Sequence, residues 1–574
     1  MPTAAEIKAQ LTGPGGMFEV VTETVRGRPM QVYKERMRAL RQICAVAQAR
    51  GDQTFIVYGD REISFREFIA GSNSVSAGLQ ALGIGPGDRV AVLSQNNPEW
   101  CMTFWGTVNV DAILVGLNGW WKTDEVIYGL QDSGAKVLVA DGKRFERIAD
   151  SLDECPDLEH VFLVEASPSD FPVADKTGKL HPFSDLLGAA TDTMPDVPID
   201  EDDYAVIFYT SGTTGRPKGA ISTHRSMIAN LQNTMYGSVA GAMLGGGAMP
   251  DASAGGGQTV ALFTSPLFHV SGCHSTLVVG LLAGIKLIMV EGRFDPEKAL
   301  SLIEEHKVAL WATVPTMVWR VCEDPHRHDY DTSTVVSVAF GGSPSADELQ
   351  RKVHETFPNV RSTTNAYGLT ESSSVATAIS GQDAVDKPTS VGPAVPTLEI
   401  VIRDEHGAPV ETGVAGEVTM YGPLITAGYW NKPDATAETV RDGWLYTGDV
   451  GYLDADGYLY ITDRKKDMII RGGENIYCVE IENRLVENPR IADAAVIGVP
   501  HPELGEEVKA VVQVEPGETI TEDEVRQWVG ETLANFKVPT YVEVRDDKLP
   551  RNASGKLLKN VLRGTGDVSF DETM

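Results

Sequence analysis

The sequence predicts an α/β fold that continues into a β-rich region and ends in a compact α+β unit. Three observations predict it. Short apolar, β-branched runs alternate with helical stretches through most of the chain, the alternation that builds parallel sheets covered by helices. From about residue 398 the texture changes to short strands and turns, as in LEIVIRDEHG, GEVTMYG and YLDADGYLYITDR. Beyond DRKKDMII (463–470) a last segment carries its own helices and strands. At 574 residues the chain is also too long for a single core and should divide into domains.

Taken in order, RGRPMQVYKERMRALRQI (26–43) sets Val32, Tyr33, Met37, Leu40 and Ile43 at helical spacing among basic residues. It reads as a basic amphipathic helix packed on its own domain, which leaves peripheral membrane contact open. SFREFIAGSNSVSAGLQAL (64–82) and DPEKALSLIEEHK (295–307) are expected helices. RVAVLSQ (89–95), KVLVAD (136–141), HVFLVE (160–165), AVIFYT (205–210), VALFTSPL (260–267), KLIMVE (286–291) and VVSVAFGG (335–342) are expected strands. The Gly- and Ala-rich stretch 237–260 cannot hold a core and reads as a mobile surface loop. In the last unit, TEDEVRQWVGETL (521–533) flanks the strand-like AAVIGVP and VKAVVQVE.

The formal charge of −31, from 49 Lys+Arg against 80 Asp+Glu, disfavours nucleic acid as a partner. The longest apolar stretch, 277–290, is short of a membrane span and is broken by Lys286, so no integral membrane contact is expected. The N-terminal residues lack a signal-peptide pattern, which points to a cytoplasmic protein. Six cysteines, at 44, 101, 155, 273, 322 and 478, form no C-x-x-C pair and suggest neither a zinc site nor a disulfide framework.

The chemistry begins at YTSGTTGRPKGA (209–220). It is not a P-loop, because Lys218 precedes Gly219 instead of following a glycine, and its glycines do not fit G-x-G-x-x-G. Its physics still suits an anion. Gly212, Gly215 and Gly219 let backbone amides converge, Thr210, Ser211, Thr213 and Thr214 add hydroxyls, and Lys218 adds charge. Four further stretches raise its weight: NAYGLTE (365–371), LYTGD (445–449), DRKKD (463–467) and PRNASGK (550–556). Tyr367 can stack on adenine, Asp449 can accept from ribose hydroxyls, and Glu371 can hold a Mg²⁺ that bridges phosphates. Lys556 can meet the charge that develops as an oxygen attacks phosphorus.

In this order and wording, the stretches resemble the adenylate-forming superfamily of acyl-CoA synthetases, peptide-synthetase adenylation domains and beetle luciferases, over about residues 50–560. The resemblance implies a large N-terminal domain (1–465) of two sheet-and-helix subdomains plus a distorted β-barrel (about 398–465), followed by a small mobile α+β domain (466–574). It implies that Thr210, Ser211, Gly212, Thr213, Thr214, Gly215 and Lys218 wrap the β- and γ-phosphates of ATP, with Thr214 also at the metal. Gly341, Gly342, Ser343 and Asn365, Ala366, Tyr367 line the adenine and acyl side, with Gly368 in the same motif; Thr370 and Glu371 attend phosphate and Mg²⁺. Asp449 takes the ribose, Arg464 the ribose or phosphate, and Lys556 bridges the carboxylate and α-phosphate. Lys466 matches the hinge, and RGGENIY (471–477), with Gly472 and Gly473, resembles the loop that lines the pantetheine tunnel of coenzyme A. Cys478 stands where relatives often carry Pro and should loosen that turn without a catalytic part.

His269, in SPLFHVSG (265–272), occupies the place where amino-acid-activating relatives carry Asp, so amino acids are unfavoured substrates. By the same resemblance His269 sits beside the substrate carboxylate. Trp311, Met317 and Trp319 are bulky enough to line an apolar acyl pocket or to be core. The implied function is an ATP-dependent acyl-CoA synthetase for a medium- or long-chain fatty acid or a bulky apolar acid. The alternative is a free-standing acyl-AMP ligase that loads an acyl carrier protein. A homodimer is left open.

Overall fold

The computed structural model describes residues 3–188, 191–210, 216–244, 257–341, 347–472, 474–551 and 557–565. Two large sheets form the body of the N-terminal region. The first runs, in spatial order, Lys218–Thr223, Tyr204–Thr210, Ile113–Gly116, Arg89–Leu93, Val137–Asp141, His160–Val164 and Leu180–Pro182. Its pairs are parallel except the edge hairpin, where Thr210 lies opposite Lys218. The second runs Ser374–Ser380, Ser362–Leu369, Ser337–Gly341, Leu310–Thr313, Val260–Phe263, Lys286–Met289, Thr54–Tyr58 and Arg61–Ser64. It too is parallel inside and antiparallel at both edges.

One continuous core joins the two sheets. Val90, Val92 and Phe208 of the first and Phe55, Phe263 and Met289 of the second belong to the same buried cluster. The helices Phe65–Ala81 and Pro98–Val108 pack into it, bringing Phe68, Trp100, Phe104 and Trp105. Each such side chain contributes about 1.5–3 kcal/mol on leaving water, which is why both faces of these sheets read as near-continuous apolar runs. The helix starts carry the signals that fix them locally. Ser64 and Glu67 form a reciprocal capping box, and the Asp295 side chain accepts from the Lys298 N–H.

The β-rich region is an antiparallel sheet ordered Gly392–Pro393, Tyr458–Arg464, Trp444–Leu453, Gly416–Tyr421 and Glu399–Arg403, with Val440–Arg441 beside Trp444–Leu453. The small C-terminal domain wraps helices Cys478–Val486 and Glu522–Gly530 around a sheet led by the long pair Ile491–His501 and Gly505–Val514.

Two local expectations are corrected. Residues 26–43 are not one helix: Arg28–Tyr33 is a strand in a hairpin with Val20–Val25, and a helix begins only at Arg41. Met30 and Val32 are buried while Gln31 is exposed, so the operative period is two, not 3.6. The basic residues are also engaged: Arg36 pairs with Glu23 and Glu201, Arg38 with Glu201, and Lys34 with Glu19. In the Gly/Ala-rich stretch, residues up to Leu244 continue the helix His224–Leu244, and Val239, Ala240, Met243 and Leu244 pack on Ile7, Leu11 and Phe18. Residues 245–256 lie outside the described residues. Among the described residues no helix is long and apolar enough to cross a membrane.

Candidate active site

Tyr367, Asp449, Arg464, Glu371 and Lys218, five of the expected site residues, form two groups at the end of the strand Ser362–Leu369. This strand lies between Ser337–Gly341 and Ser374–Ser380. Gly341 is opposite Ala366, and a Cβ there would sit 2.4 Å from the Ala366 carbonyl oxygen. A Cβ on Gly368 would sit 1.6 Å from the Ser374 oxygen. Glycine is required at both positions because the backbones approach too closely for any side chain.

Three expected nucleotide residues form one bonded group. The Tyr367 hydroxyl donates to Asp449 Oδ2 at 2.6 Å, and Arg464 Nε lies 3.3 Å from Asp449 Oδ1. Asp449 and Arg464 face each other across adjacent strands, and Asp449 is only 4% exposed. The Thr447 side chain accepts from the Asp449 N–H and donates to the Val418 carbonyl, which sets the turn before the carboxylate. Burial and the neighbouring Asp449 anion push the Tyr367 hydroxyl well above its ordinary range, so it stays a donor. The arrangement presents a buried, anchored carboxylate, suited to a pair of sugar hydroxyls.

A second group forms on the phosphate side. The Tyr429 hydroxyl donates to Glu371 Oε1 at 2.7 Å, and the Thr426 N–H donates to the Glu371 carbonyl at 2.7 Å. Lys218 Nζ lies 5.2 Å from the Tyr429 ring centroid, a cation–π distance. Thr210 donates to the Lys218 carbonyl across the mouth of the hairpin that carries the Gly-rich loop. Tyr429 was not singled out from sequence; its only signal is the Gly-Tyr step in TAGYW. A carboxylate with one oxygen held by a phenol fits Mg²⁺, which binds through one or two carboxylates plus substrate phosphates. Among the described residues no cluster of three or more His, Cys, Asp or Glu that could hold a metal ion is found.

Asn365 is buried and donates to the Ser390 carbonyl at 3.4 Å, and Thr370 opens the short turn that carries Glu371. His269 is half-buried beside Phe268, and burial drives its imidazole down to about 4, so it is neutral at physiological pH. It can donate a hydrogen bond to a carboxylate but brings no charge. Trp311 is core: it is 1% exposed, lies between Phe294 and Phe357, and donates to Thr264. Trp319 lies under Lys352, and Met317 accepts from Thr313. Ser211, Gly212, Thr213, Thr214, Gly215, Gly342, Ser343, Gly473 and Lys556 lie outside the described residues.

The junction with the small domain carries a buried carboxyl of its own. Asp463, next to last in the strand Tyr458–Arg464, accepts from the Arg464 and Cys478 N–H groups. A proline at 478 could not make that bond, so Cys478 ties the helix start to the strand where a looser turn was expected. The Cys478 thiol is buried, donates to the Asp467 carbonyl at 3.0 Å and is pushed above its ordinary range, which is inconsistent with a nucleophile. Burial raises Asp463 from the usual 3.8 to about 6, against the opposing pull of Lys559. A raised folded value means that its contribution to stability is complete below about pH 4 and is lost as the pH climbs through 6. Asp463→Asn cannot ionise, so against wild type its thermal stability should rise between pH 4 and 7 by roughly 1–3 kcal/mol. Melting curves of the two proteins that stay parallel across this range would refute that.

Comparison with known proteins decides the family. The model of the AMP-binding enzyme family matches residues 44–430, and that of the AMP-binding enzyme C-terminal domain matches 480–556. The chain belongs to the AMP-binding enzyme family. It is an enzyme, an AMP-forming ligase of the acyl-CoA synthetase type. A feruloyl-CoA synthase of Amycolatopsis is 35% identical over 89% of this chain and 95% of that protein. A long-chain-fatty-acid–CoA ligase of Bacillus subtilis is 32% identical over 89% of this chain and 91% of its own. The solved o-succinylbenzoate CoA synthetase of Bacillus subtilis, in complex with its acyl-adenylate intermediate, superimposes with a TM-score of 0.75 at 28% identity, covering 92% of this chain and 98% of that one. The large domain followed by a small one, expected from the resemblance, is therefore the fold observed.

Proposed function

We propose that this AMP-binding enzyme activates an apolar carboxylic acid, a medium- or long-chain fatty acid or a bulky apolar acid, and transfers it to coenzyme A. The observation that carries the reading is the pair of bonded groups at one strand end, Tyr367–Asp449–Arg464 and Tyr429–Glu371, beside the Lys218 hairpin. In the first step a carboxylate oxygen bonds to the α-phosphorus of ATP and the bond to the β-phosphate breaks, releasing pyrophosphate. Tyr367 and Asp449 hold the nucleoside, Thr210 to Lys218 grip the leaving phosphates, and Glu371 with Thr214 would hold Mg²⁺, which supplies charge neutralisation there. Arg464 and Lys556 meet the α-phosphate side. In the second step the thiol of coenzyme A attacks the acyl carbon and AMP leaves. The small domain, with its boundary at 465/466, turns about Lys466 to exchange Lys556 for the Gly472–Gly473 loop.

The apolar tail is argued from His269. It stands where an α-ammonium would need a carboxylate, and it is itself neutral. The named activities of the relatives, on feruloyl and long-chain fatty acyl groups, support an apolar or aryl tail. The test is a pyrophosphate-release screen over carboxylic acids with coenzyme A present. kcat/KM should rise with chain length by about 0.8 kcal/mol, roughly fourfold, per buried CH₂ until the pocket fills. Amino acids should be inert. A preference for acetate or for an amino acid would overturn the assignment, and activity only with acyl carrier protein would identify the acceptor as a carrier.

A further inference from the structure

The hairpin Val20–Val25/Arg28–Tyr33 precedes residue 44, where the family match begins, yet its tip reaches the phosphate side of the site. The two residues of the turn, Arg26 and Gly27, have φ of 47° and 76°. Positive φ at both central positions is the hairpin geometry that asks for Asn or Gly, and it is unfavourable for an arginine. Such a conformation persists only where its surroundings hold it. Here the guanidinium does so: Nη2 donates to the Ile425 carbonyl at 2.9 Å and Nη1 to the Thr426 carbonyl at 3.1 Å. The hairpin is seated from beneath as well, since Val25, Met30 and Val32 pack with Tyr421, whose hydroxyl donates to the Pro29 carbonyl.

The turn that Arg26 holds is the one that holds Glu371. Thr426 donates its N–H to the Glu371 carbonyl, and three residues on Tyr429 binds the Glu371 carboxylate. The Thr426 hydroxyl also donates toward the Ile221 carbonyl at 2.8 Å, on the strand that leads out of the Gly-rich loop. We propose that Arg26 is a positioning residue of the adenylation site: its fork across the Ile425 and Thr426 carbonyls fixes the turn that orients both the backbone and the carboxylate of Glu371. The inference rests on the reading of Glu371 as the Mg²⁺ and phosphate residue.

The test uses full-length protein with Arg26→Ala, Arg26→Lys and, at the other end of the chain of contacts, Tyr429→Phe. Three quantities are read: the Mg²⁺ concentration for half-maximal acid-dependent ATP–pyrophosphate exchange, acyl transfer to coenzyme A from supplied acyl-adenylate, and the melting midpoint. Misplacing a binding group by about an ångström costs up to roughly 10²-fold, so loosening its tether should raise the Mg²⁺ requirement about tenfold in Arg26→Ala. Arg26→Lys should share most of that defect, because an ammonium cannot span two carbonyls as a planar fork does. Transfer from supplied adenylate should stay within about twofold of wild type. An unchanged Mg²⁺ requirement, or equal loss in both half-reactions together with a lowered midpoint, would overturn the inference. A Tyr429→Phe shift without an Arg26→Ala shift would also overturn it while leaving Glu371 in its role. If wild type exchanges pyrophosphate with no acid, the functional reading fails on its own. Arg26 is then judged by the binding of a Mg²⁺-loaded, non-cleavable ATP analogue, and equal affinity in Arg26→Ala and wild type would rule it out.

Discussion

Lys556→Ala should lower acyl-adenylate formation by at least roughly 10²–10³-fold, the cost of losing one donor aimed at developing transition-state charge. As the acid's oxygen closes on the α-phosphorus, negative charge accumulates between two groups that are already anionic. A single ammonium placed there acts more strongly on the transition state than on bound substrates, so the loss should fall on kcat more than on KM. The described residues that flank 552–556 are held in place: Arg551 pairs with Asp493 at 2.7 Å, and the Leu558 N–H donates to the Pro550 carbonyl. The second half-reaction has no need of this charge. Transfer of the acyl group from supplied acyl-adenylate to coenzyme A should therefore proceed largely intact. Measuring pyrophosphate exchange and acyl transfer separately checks both halves, and near-wild-type adenylation by Lys556→Ala would show that the charge is supplied elsewhere.

The second large effect is expected at Asp449. Its carboxylate is anchored by the Tyr367 hydroxyl at 2.6 Å and by Arg464 at 3.3 Å, which fixes its position for the ribose contact proposed above. Hydrogen bonds to a charged acceptor contribute about 1.5–3 kcal/mol each, so loss of two should reduce kcat/KM for ATP by about 10²-fold or more in Asp449→Ala. The same change leaves the buried Tyr367 hydroxyl without its acceptor, which adds to the loss. Asp449→Asn keeps the shape and one acceptor oxygen and should fall between. The KM for the acid should barely move, because Asp449 itself is assigned to the ribose and not to the acyl side. Titrating ATP at saturating acid reads the effect directly, and an unchanged KM for ATP in Asp449→Ala would remove the residue from the nucleotide site.

Much of this was legible in the chain alone. The strands Arg89–Leu93, Val137–Asp141 and Lys286–Met289 are short apolar runs with helical stretches between them, and burial of both sheet faces is what such runs record. The family was legible because its stretches are contiguous in sequence: Tyr367 and Glu371 share NAYGLTE, Asp449 closes LYTGD, and Lys218 closes the Gly-rich loop, whereas Tyr429 and Arg26 stand in no such stretch. Tertiary structure alone decided which of these residues touch. The Tyr367–Asp449 bond spans 82 positions, the Tyr429–Glu371 bond 58, and the Arg26 fork about 400. Periodicity tells which side of an element is apolar, but it cannot say what will cover that side or which polar tips will meet. It also misled at residues 26–43, where apolar residues at helical spacing belong to a hairpin strand and the segment after it. There the cross-strand partner Val20–Val25 and the cover from Tyr421 override the local pattern, because a strand is stabilised by a neighbour distant in sequence.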